Sequence, residues 1–189
     1  CCPKQLILPY LPEPLEELKT REPDPTPWFR VKVAIVGSEI DDPSLIKLIE
    51  GAGALVVSDR FCYGSTPVRE VIELNDDEDA LTQICRHCME VAECARYIAD
   101  EKVLQRRETA DRLAKEYNAD GIIYEQMKYC DYWGFERALV SHVMHEEYGW
   151  PVLSIDRLYN NGTSGQLRTT CPAFVESLEI KKIQKEANK

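Results

Sequence analysis

The chain has 189 residues, of which 44% are hydrophobic and 30% charged, so it can bury a core beneath a charged surface. Its 33 acidic residues outnumber the 23 basic ones and give a formal net charge of −10, which argues against binding nucleic acid through phosphate contacts. No apolar run approaches the ~18 residues that a membrane helix needs, so no membrane partner is expected. The eight cysteines are too few for a disulfide scaffold of this length, and we expect a cytoplasmic protein with reduced thiols.

The first part of the chain differs in composition from the rest. Most of the 11 prolines lie between residues 3 and 27, and because proline interrupts regular structure, residues 1–30 are predicted to form a linker or arm. From there the pattern becomes regular. Residues 31–183 are predicted to form one α/β domain, followed by a C-terminal tail over residues 184–189.

Four short apolar runs within the domain predict strands. Each run is nearly continuous in hydrophobic residues, which is typical of parallel strands covered on both faces. Segments with apolar residues at helical spacing separate the runs, and this alternation predicts a parallel sheet with right-handed crossovers. The predicted fold is a three-layer α/β/α domain of the flavodoxin-like kind with about four strands. The strands are predicted at residues 31–36, 54–57, 121–124 and 151–155, and the helices at about 43–50, 79–98, 101–117, 134–148 and beyond residue 162.

Two cysteines follow predicted strands at the sheet edge where ligands bind in such folds. Cys62 lies in the sequence DRFCYGS after the second strand, and Cys130 lies in MKYCDYWG after the third. Either alone is explained as a small buried residue, but two thiols converging on one edge favour a metal or cluster site. Gly64 and Ser65 can turn backbone N–H groups toward a thiolate, and a helix beginning at Asp131 would stabilise negative charge.

A second group of thiols competes with this pair. The sequence CRHC at residues 85–88, with Cys94 nearby, has the spacing of a zinc or cluster site. However, Cys85 and Cys88 lie in a predicted helix on the same side as its apolar residues, and no second pair completes a four-ligand zinc site. We therefore favour helix packing for these two cysteines, and also for Cys171 in the last helix.

Three segments together resemble the benzoyl-CoA reductase and 2-hydroxyacyl-CoA dehydratase family. They are DRFCYGS, DGIIYEQMKYCDYWGFE around the third strand, and GQLRTTCPAFVESLE in the last helix, within a match from about residue 31 to residue 179. The resemblance implies that Cys62 and Cys130 are ligands of a [4Fe–4S] cluster. It also implies that a third cysteine ligand comes from a preceding domain, and that this chain is the C-terminal domain of a subunit.

The resemblance further implies low-potential electron transfer to a CoA thioester. A separate ATP-hydrolysing iron–sulfur activator would supply the electron, and a paralogous second subunit would accompany this one. In dehydratases the electron expels the 2-hydroxyl group and is recycled, whereas in benzoyl-CoA reductases electrons and protons add to the aromatic ring. Dehydratases of the family more often continue after the second cysteine with proline and acidic residues. The sequence DYWG at residues 131–134 therefore favours a reductase.

Three other hypotheses stay open besides the reductase. The first is a 2-hydroxyacyl-CoA dehydratase subunit, and the second is a cluster-binding or scaffolding partner without turnover. The third is an α/β binding domain whose cysteines are all structural, which would bind no iron.

If the chain is a reductase or dehydratase subunit, Glu125 and Lys128 are the predicted catalytic residues, and Gly64, Ser65 and Gln126 are the predicted cofactor-binding residues. Glu125, Gln126 and Lys128 are candidates for proton delivery or CoA contacts, and a solvated or paired surface acid is the alternative for Glu125. The aromatic residues that would exclude water from the cluster are Tyr63, Tyr129, Tyr132 and Trp133, for which ordinary packing is the alternative.

Overall fold

The structure is a computed structural model of the chain. It describes residues 3–23, 25–62, 64–66, 70–73, 75–91, 93–158 and 165–187. The strands are β1 (Val31–Gly37), β2 (Ala54–Arg60), β3 (Gly121–Met127) and β4 (Val152–Arg157). The helices are α1 (Lys4–Ile7), a 3-10 turn (Leu8–Tyr10), α2 (Pro12–Thr20), α3 (Ser44–Gly51), α4 (Ala80–Val91), α5 (Asp100–Glu116), α6 (Asp131–Glu146) and α7 (Gly165–Ala187).

The four strands form one parallel sheet in the order β2-β1-β3-β4. Helices connect successive strands, as right-handed crossovers between parallel strands require. The order matches the first four positions of the doubly wound flavodoxin-like arrangement. The predicted α/β/α domain with a four-stranded parallel sheet is therefore confirmed.

Apolar side chains cover both faces of the sheet. One cluster joins the sheet to α3 and α7, and a second joins it to α5 and α6. The central strand β1 contributes to both clusters, because successive residues of a strand point to opposite faces. Val33 and Ile35 belong to the first cluster, and Ala34 and Val36 belong to the second. This double burial explains why the strands read as continuous apolar runs.

The N-terminal segment contains helical turns, although its prolines predicted irregular structure. Pro12 is the first residue of α2, where the missing N–H group leaves no hydrogen bond unmade. The described side chains of residues 3–23 are exposed. At the other end, α7 continues into the predicted tail as far as residue 187. In the described residues, none of the helices is long and apolar enough to cross a membrane.

The helix predicted over residues 79–98 is shorter in the structure. It ends at Val91, and residues 93–99 are not helical. The reason is non-local, since arginine side chains from β2 and α5 donate hydrogen bonds to the backbone carbonyl groups of this segment. Arg60 donates to the Glu93 carbonyl at 2.8 Å, and Arg106 donates to the Tyr97 carbonyl at 2.7 Å.

The packing role predicted for Cys85 and Cys88 is wrong. Both side chains are exposed on α4, and the neighbouring Leu81 is 66% exposed. On this side of the sheet it is α5 that packs against β1 and β2. The buried residue of α4 is Gln83, whose side chain forms hydrogen bonds to the preceding turn. Cys171, in contrast, is 1% exposed within the core, as predicted.

Candidate functional site

The two predicted ligand cysteines lie at the carboxyl edge of the sheet. Cys62 follows β2 by two residues, and Cys130 stands between β3 and the first residue of α6. Strand β1 lies between β2 and β3, so the two cysteines flank its last residue, Gly37. Because neighbouring strands are about 4.8 Å apart, the two strand ends are about 10 Å from each other. The two strand ends are thus separated by the width of β1.

Gly37 keeps the edge between the two cysteines free of a side chain. A Cβ atom at this position would lie 2.0 Å from the carbonyl oxygen of Glu125 on β3. The two central strands therefore approach each other closely only because residue 37 is glycine. Gly37 also lines the cavity that opens beside Cys62.

That cavity has a volume of about 150 Å³ and a mostly apolar wall. Three free cysteines line it, namely Cys62, Cys88 and Cys94, together with His87 and Trp133. Cys130 is not among its described lining residues, although Trp133 follows it by three positions in α6. The structure thus brings Cys62 together with two thiols of the competing group.

Cys62 lies on an exposed turn, yet neighbouring groups affect its thiol. Partial burial raises the pKa of Cys62, and the nearby Cys94 raises it further. The positive charges of Arg60 and Arg96 act in the opposite direction. Arg96 also donates a hydrogen bond from Nε to the Cys94 sulfur at 3.4 Å. The net effect of these surroundings raises the pKa of Cys62 and favours its neutral thiol.

Two buried ion pairs fix the segment that carries Cys94. Arg60 pairs with Glu93, and the two side chains are 3% and 11% exposed. Arg106 pairs with Glu136 of α6 at 2.7 Å, with both side chains buried. Arg106 also reaches the carbonyl groups of Cys94 and Tyr97. The segment is thus tied to β2, α5 and α6 at once.

Cys130 occupies a tight turn before α6. Tyr129 has a φ of 72°, in the left-handed region that side chains normally avoid, so the backbone is strained next to Cys130. The side chain of Gln126 donates to the Cys130 carbonyl at 3.3 Å and accepts from Arg137 at 2.8 Å. Gln126, predicted to bind a cofactor, therefore contacts the turn that carries Cys130.

Glu125 is fully buried behind this edge. Ser38 Oγ donates to Glu125 Oε2 at 2.7 Å, and Arg157 Nε lies 2.8 Å from Oε1 as an ion pair. Arg157 also donates to the Glu39 carbonyl, so this network joins the ends of β1, β3 and β4. Burial raises the pKa of Glu125 to about 7, while the Ser38 hydrogen bond and the Arg157 charge oppose the rise. The carboxyl group predicted to deliver protons thus lies inside a structural network.

The other predicted site residues lie at the same edge with different partners. Lys128 is about half exposed, 3.5 Å from a carboxylate oxygen of Asp156. The Gly64 N–H donates to the carbonyl of Phe61, and the Ser65 N–H donates to the Asp59 side chain at 2.8 Å. In the structure these two N–H groups shape the turn that carries Cys62 instead of bonding to its sulfur.

Of the predicted aromatic residues that the structure describes, Trp133 is the one that lines the cavity. It is 5% exposed, whereas Tyr129 is 90% and Tyr132 is 52% exposed. Tyr63 lies outside the described residues. Trp133 can therefore exclude water beside Cys62, while the two tyrosines extend from the domain surface.

The sequence interpretation missed Cys94 and Cys88 as cavity residues. For Cys88 the available signal is the CRHC spacing, for which we favoured helix packing, whereas Cys94 lies outside this motif. Three free thiols line this mostly apolar cavity, and thiolates are the residue type that soft metals and iron–sulfur groups take as ligands. Within the described ranges, no three His, Cys, Asp or Glu side chains form a group that could hold a single metal ion.

Comparison with known proteins gives consistent matches. A family model described as 2-hydroxyglutaryl-CoA dehydratase, D-component, matches residues 1–178. The "(R)-phenyllactyl-CoA dehydratase beta subunit" of Clostridium sporogenes is 29% identical over 165 residues, 87% of this chain and 42% of that protein. The "Putative dehydratase subunit YjiM" of Escherichia coli (strain K12) is 24% identical over 160 residues, 82% of this chain and 38% of that protein. The chain thus spans less than half the length of either relative.

Proposed function

Because the chain belongs to the 2-hydroxyglutaryl-CoA dehydratase D-component family, we propose that it is part of a 2-hydroxyacyl-CoA dehydratase subunit. The two relatives that support this proposal are named as dehydratase subunits. The reductase reading that the sequence favoured gains no support from them. The reductase hypothesis is supported only by the aromatic segment after Cys130, and it becomes the second candidate function.

The observation that carries the proposal is the placement of Cys62 and Cys130 on either side of Gly37. We propose that both thiolates hold a [4Fe–4S] cluster at this edge. When bound, the cluster would supply a single low-potential electron to the CoA thioester. Cys62 and Cys130 of this chain would supply the sulfur ligands, and Trp133 would exclude water from the side of the cavity beside Cys62. The N–H group of Arg96 donates to a cavity thiol and so stabilises negative charge on sulfur.

Lys128 is the predicted catalytic residue with the better access to a substrate. Its ammonium group is about half exposed, and its partner Asp156 is a surface carboxylate. A CoA thioester carries phosphate groups, which an exposed lysine binds as a point charge. We propose that Lys128 contacts the CoA moiety. Glu125 instead positions the strand ends, because it is fully buried among Ser38 and Arg157.

The proposed partners are a second, related subunit and an ATP-hydrolysing iron–sulfur activator. The second subunit is supported by the beta-subunit name of the Clostridium sporogenes relative. The activator is proposed on the basis of the family resemblance, because a low-potential electron requires a donor. The CoA thioester is proposed as the substrate on the same family basis.

The test begins with the full-length subunit purified without oxygen. We expect about four irons and four sulfides per subunit, and loss of most of both in Cys62→Ser and Cys130→Ser. Cys85→Ser is the matched control, because Cys85 is exposed on α4 and does not line the cavity. Absence of iron in the wild type, or iron retained in both variants, would contradict the cluster.

Activity is then assayed with the partner subunit and activator. Dehydration of a 2-hydroxyacyl-CoA would support the proposed function. Reduction of benzoyl-CoA without dehydration would favour the second candidate. A loaded cluster with neither activity, while the partner subunit turns over normally, would identify a non-catalytic cluster-binding subunit.

A further inference from the structure

We propose that a groove at the amino edge of the sheet, opposite the edge that carries Cys62 and Cys130, binds a nucleotide through its phosphate groups and its base. The groove is lined by the loops before β3 and β4, the end of α5 and the last turns of α7. Strand β3 has seven residues, so about 20 Å of strand separates this groove from the candidate site. The inference therefore goes beyond the proposed function and does not depend on the cluster.

The first argument is the charge of the groove. Four lysines from two helices line it, and we call it the lysine groove; they are Lys115 of α5 and Lys181, Lys182 and Lys185 of α7. Asp120 is the one acidic residue among its described lining residues, and its carboxylate already accepts a hydrogen bond from the Lys32 N–H group at 2.8 Å. The groove is therefore a local excess of positive charge on a chain whose formal net charge is −10.

The second argument is that the lysines of α7 lie close to one another without an acidic partner in the described structure. Lys181 and Lys185 are four residues apart and Lys182 and Lys185 three apart, spacings at which like charges on a helix repel. None of the ion pairs among the described residues includes these three lysines. The helix dipole favours cations in the last turn, but it does not explain why Lys115 of a second helix joins them. An anion in the groove would offset the repulsion.

The third argument is that two aromatic rings line the same groove. Tyr148 and Trp150 are both half-buried there. Trp150 Nε1 donates to Asp111 Oδ1 at 2.9 Å, and its backbone N–H donates to the Met144 carbonyl at 2.9 Å, so the ring is held in place. Gly149 between them has a φ of 75° and leaves the rim free of a side chain. Aromatic rings of this kind are surfaces on which any nucleobase can stack.

The size of the lysine groove fits a mononucleotide. Its volume is about 260 Å³, near the lower limit of pockets that hold small ligands. The buried Leu178 adds an apolar surface, and each lysine can bind a phosphate oxygen as a point charge. Inorganic phosphate would leave the rings unused, and a bare nucleoside would leave the lysines unused. The observations therefore favour a nucleoside diphosphate, which would occupy both parts of the groove.

The test is calorimetric titration of the full-length subunit with three probes, namely ADP, inorganic pyrophosphate and adenosine. We expect ADP to bind at least about tenfold more tightly than either of the other two, because only ADP engages the lysines and the rings together. Absence of ADP binding would overturn the inference. Pyrophosphate that binds as tightly as ADP would also overturn it, because the rings would then take no part.

A pair of double variants locates the binding site within the subunit. Lys181→Gln with Lys185→Gln changes two exposed side chains, so folding is expected to be unaffected, and the affinity for ADP should fall at least about tenfold. Lys19→Gln with Lys47→Gln is the matched control, because it removes the same charge from exposed positions on α2 and α3. The control should keep the wild-type affinity. Equal affinities of the two double variants would overturn the inference, since ADP would then bind elsewhere in the subunit.

Discussion

Gly37 has only a hydrogen atom as its side chain, and the packing of the carboxyl edge of the sheet depends on this. Its missing side chain lets the end of β1 lie against the Glu125 carbonyl of β3, and β1 lies between the strands that precede Cys62 and Cys130. Neither strand can move aside easily, because the same strands carry the Ser38 hydrogen bond to Glu125. A one-carbon change at this position should therefore affect both stability and the site.

We expect Gly37→Ala to lower the free energy of unfolding by about 1–3 kcal/mol, because the new Cβ would displace backbone rather than a flexible side chain. Denaturant unfolding of the metal-free protein measures the loss. Gly51→Ala is the matched control, since a Cβ there meets no atom within 4 Å. Equal stability of the two variants would show that the strands do not approach as described.

Glu125 provides a pH-dependent contribution at the residue scale. Its pKa is raised from 4.5 to about 7 by burial, so the native state holds this proton more tightly than the unfolded chain does. The stabilising effect is therefore complete below about pH 4.5, and it is lost as the pH rises through 7. Across this window the contribution falls by up to about 1.4 kcal/mol per pH unit.

Denaturant unfolding between pH 4.5 and 7.5 tests this behaviour. The free energy of unfolding of the wild type should fall more steeply with pH than that of Glu125→Gln, which cannot ionise. Glu13→Gln is the control, because Glu13 is exposed on α2 and should follow the wild type. Parallel curves for the wild type and Glu125→Gln would contradict the raised pKa.

At the scale of elements, the segment between α4 and α5 is ordered by side chains that belong to other elements. Arg106 of α5 satisfies carbonyl groups of this segment and pairs with Glu136 of α6, while Arg60 of β2 holds Glu93. Removing one partner of a buried pair leaves an uncompensated charge. The position of Cys94 thus depends on contacts made far away in the sequence.

We expect Arg106→Met to lower the free energy of unfolding by about 3–5 kcal/mol, because Glu136 would remain buried without its partner. The Cys94 thiol should also react faster with a thiol reagent than in the wild type. Lys115→Met removes an exposed pair with Asp111 and should cost less than about 1 kcal/mol. Similar losses in both variants would show that the Arg106 pair does not hold this segment.

Helix α4 gives a second prediction at this scale. Leu81 lies on the apolar side of α4 and is 66% exposed, whereas Leu167 of α7 lies in the core and is 3% exposed. Leu81→Ala should change the free energy of unfolding of this chain by less than about 0.5 kcal/mol. Leu167→Ala should cost about 2–5 kcal/mol. A large loss in Leu81→Ala would mean that α4 packs against the domain after all.

At the scale of the whole molecule, the sequence alone is sufficient to predict the sheet, but it predicts only part of the candidate site. Residues 121–124 predict a strand because both faces of β3 are buried, which leaves a continuous apolar run. The edge position of Cys62 and Cys130 follows from the same alternation of strands and helices. The end of α4 at Val91 was missed because arginines from β2 and α5 produce it, and no local signal records those contacts. Cys94 was missed for the same reason.

The pairing of β1 with β3 also determines when the edge can form. Val33 pairs with Gly121, although the whole of α3, β2, α4 and α5 lies between them in the chain. Contacts between such distant segments form slowly, because a long loop must close before they contribute. During synthesis Cys62 emerges long before Cys130, and the two thiols flank Gly37 only after β3 has docked. Insertion of the proposed cluster must therefore follow the folding of the sheet and cannot guide it.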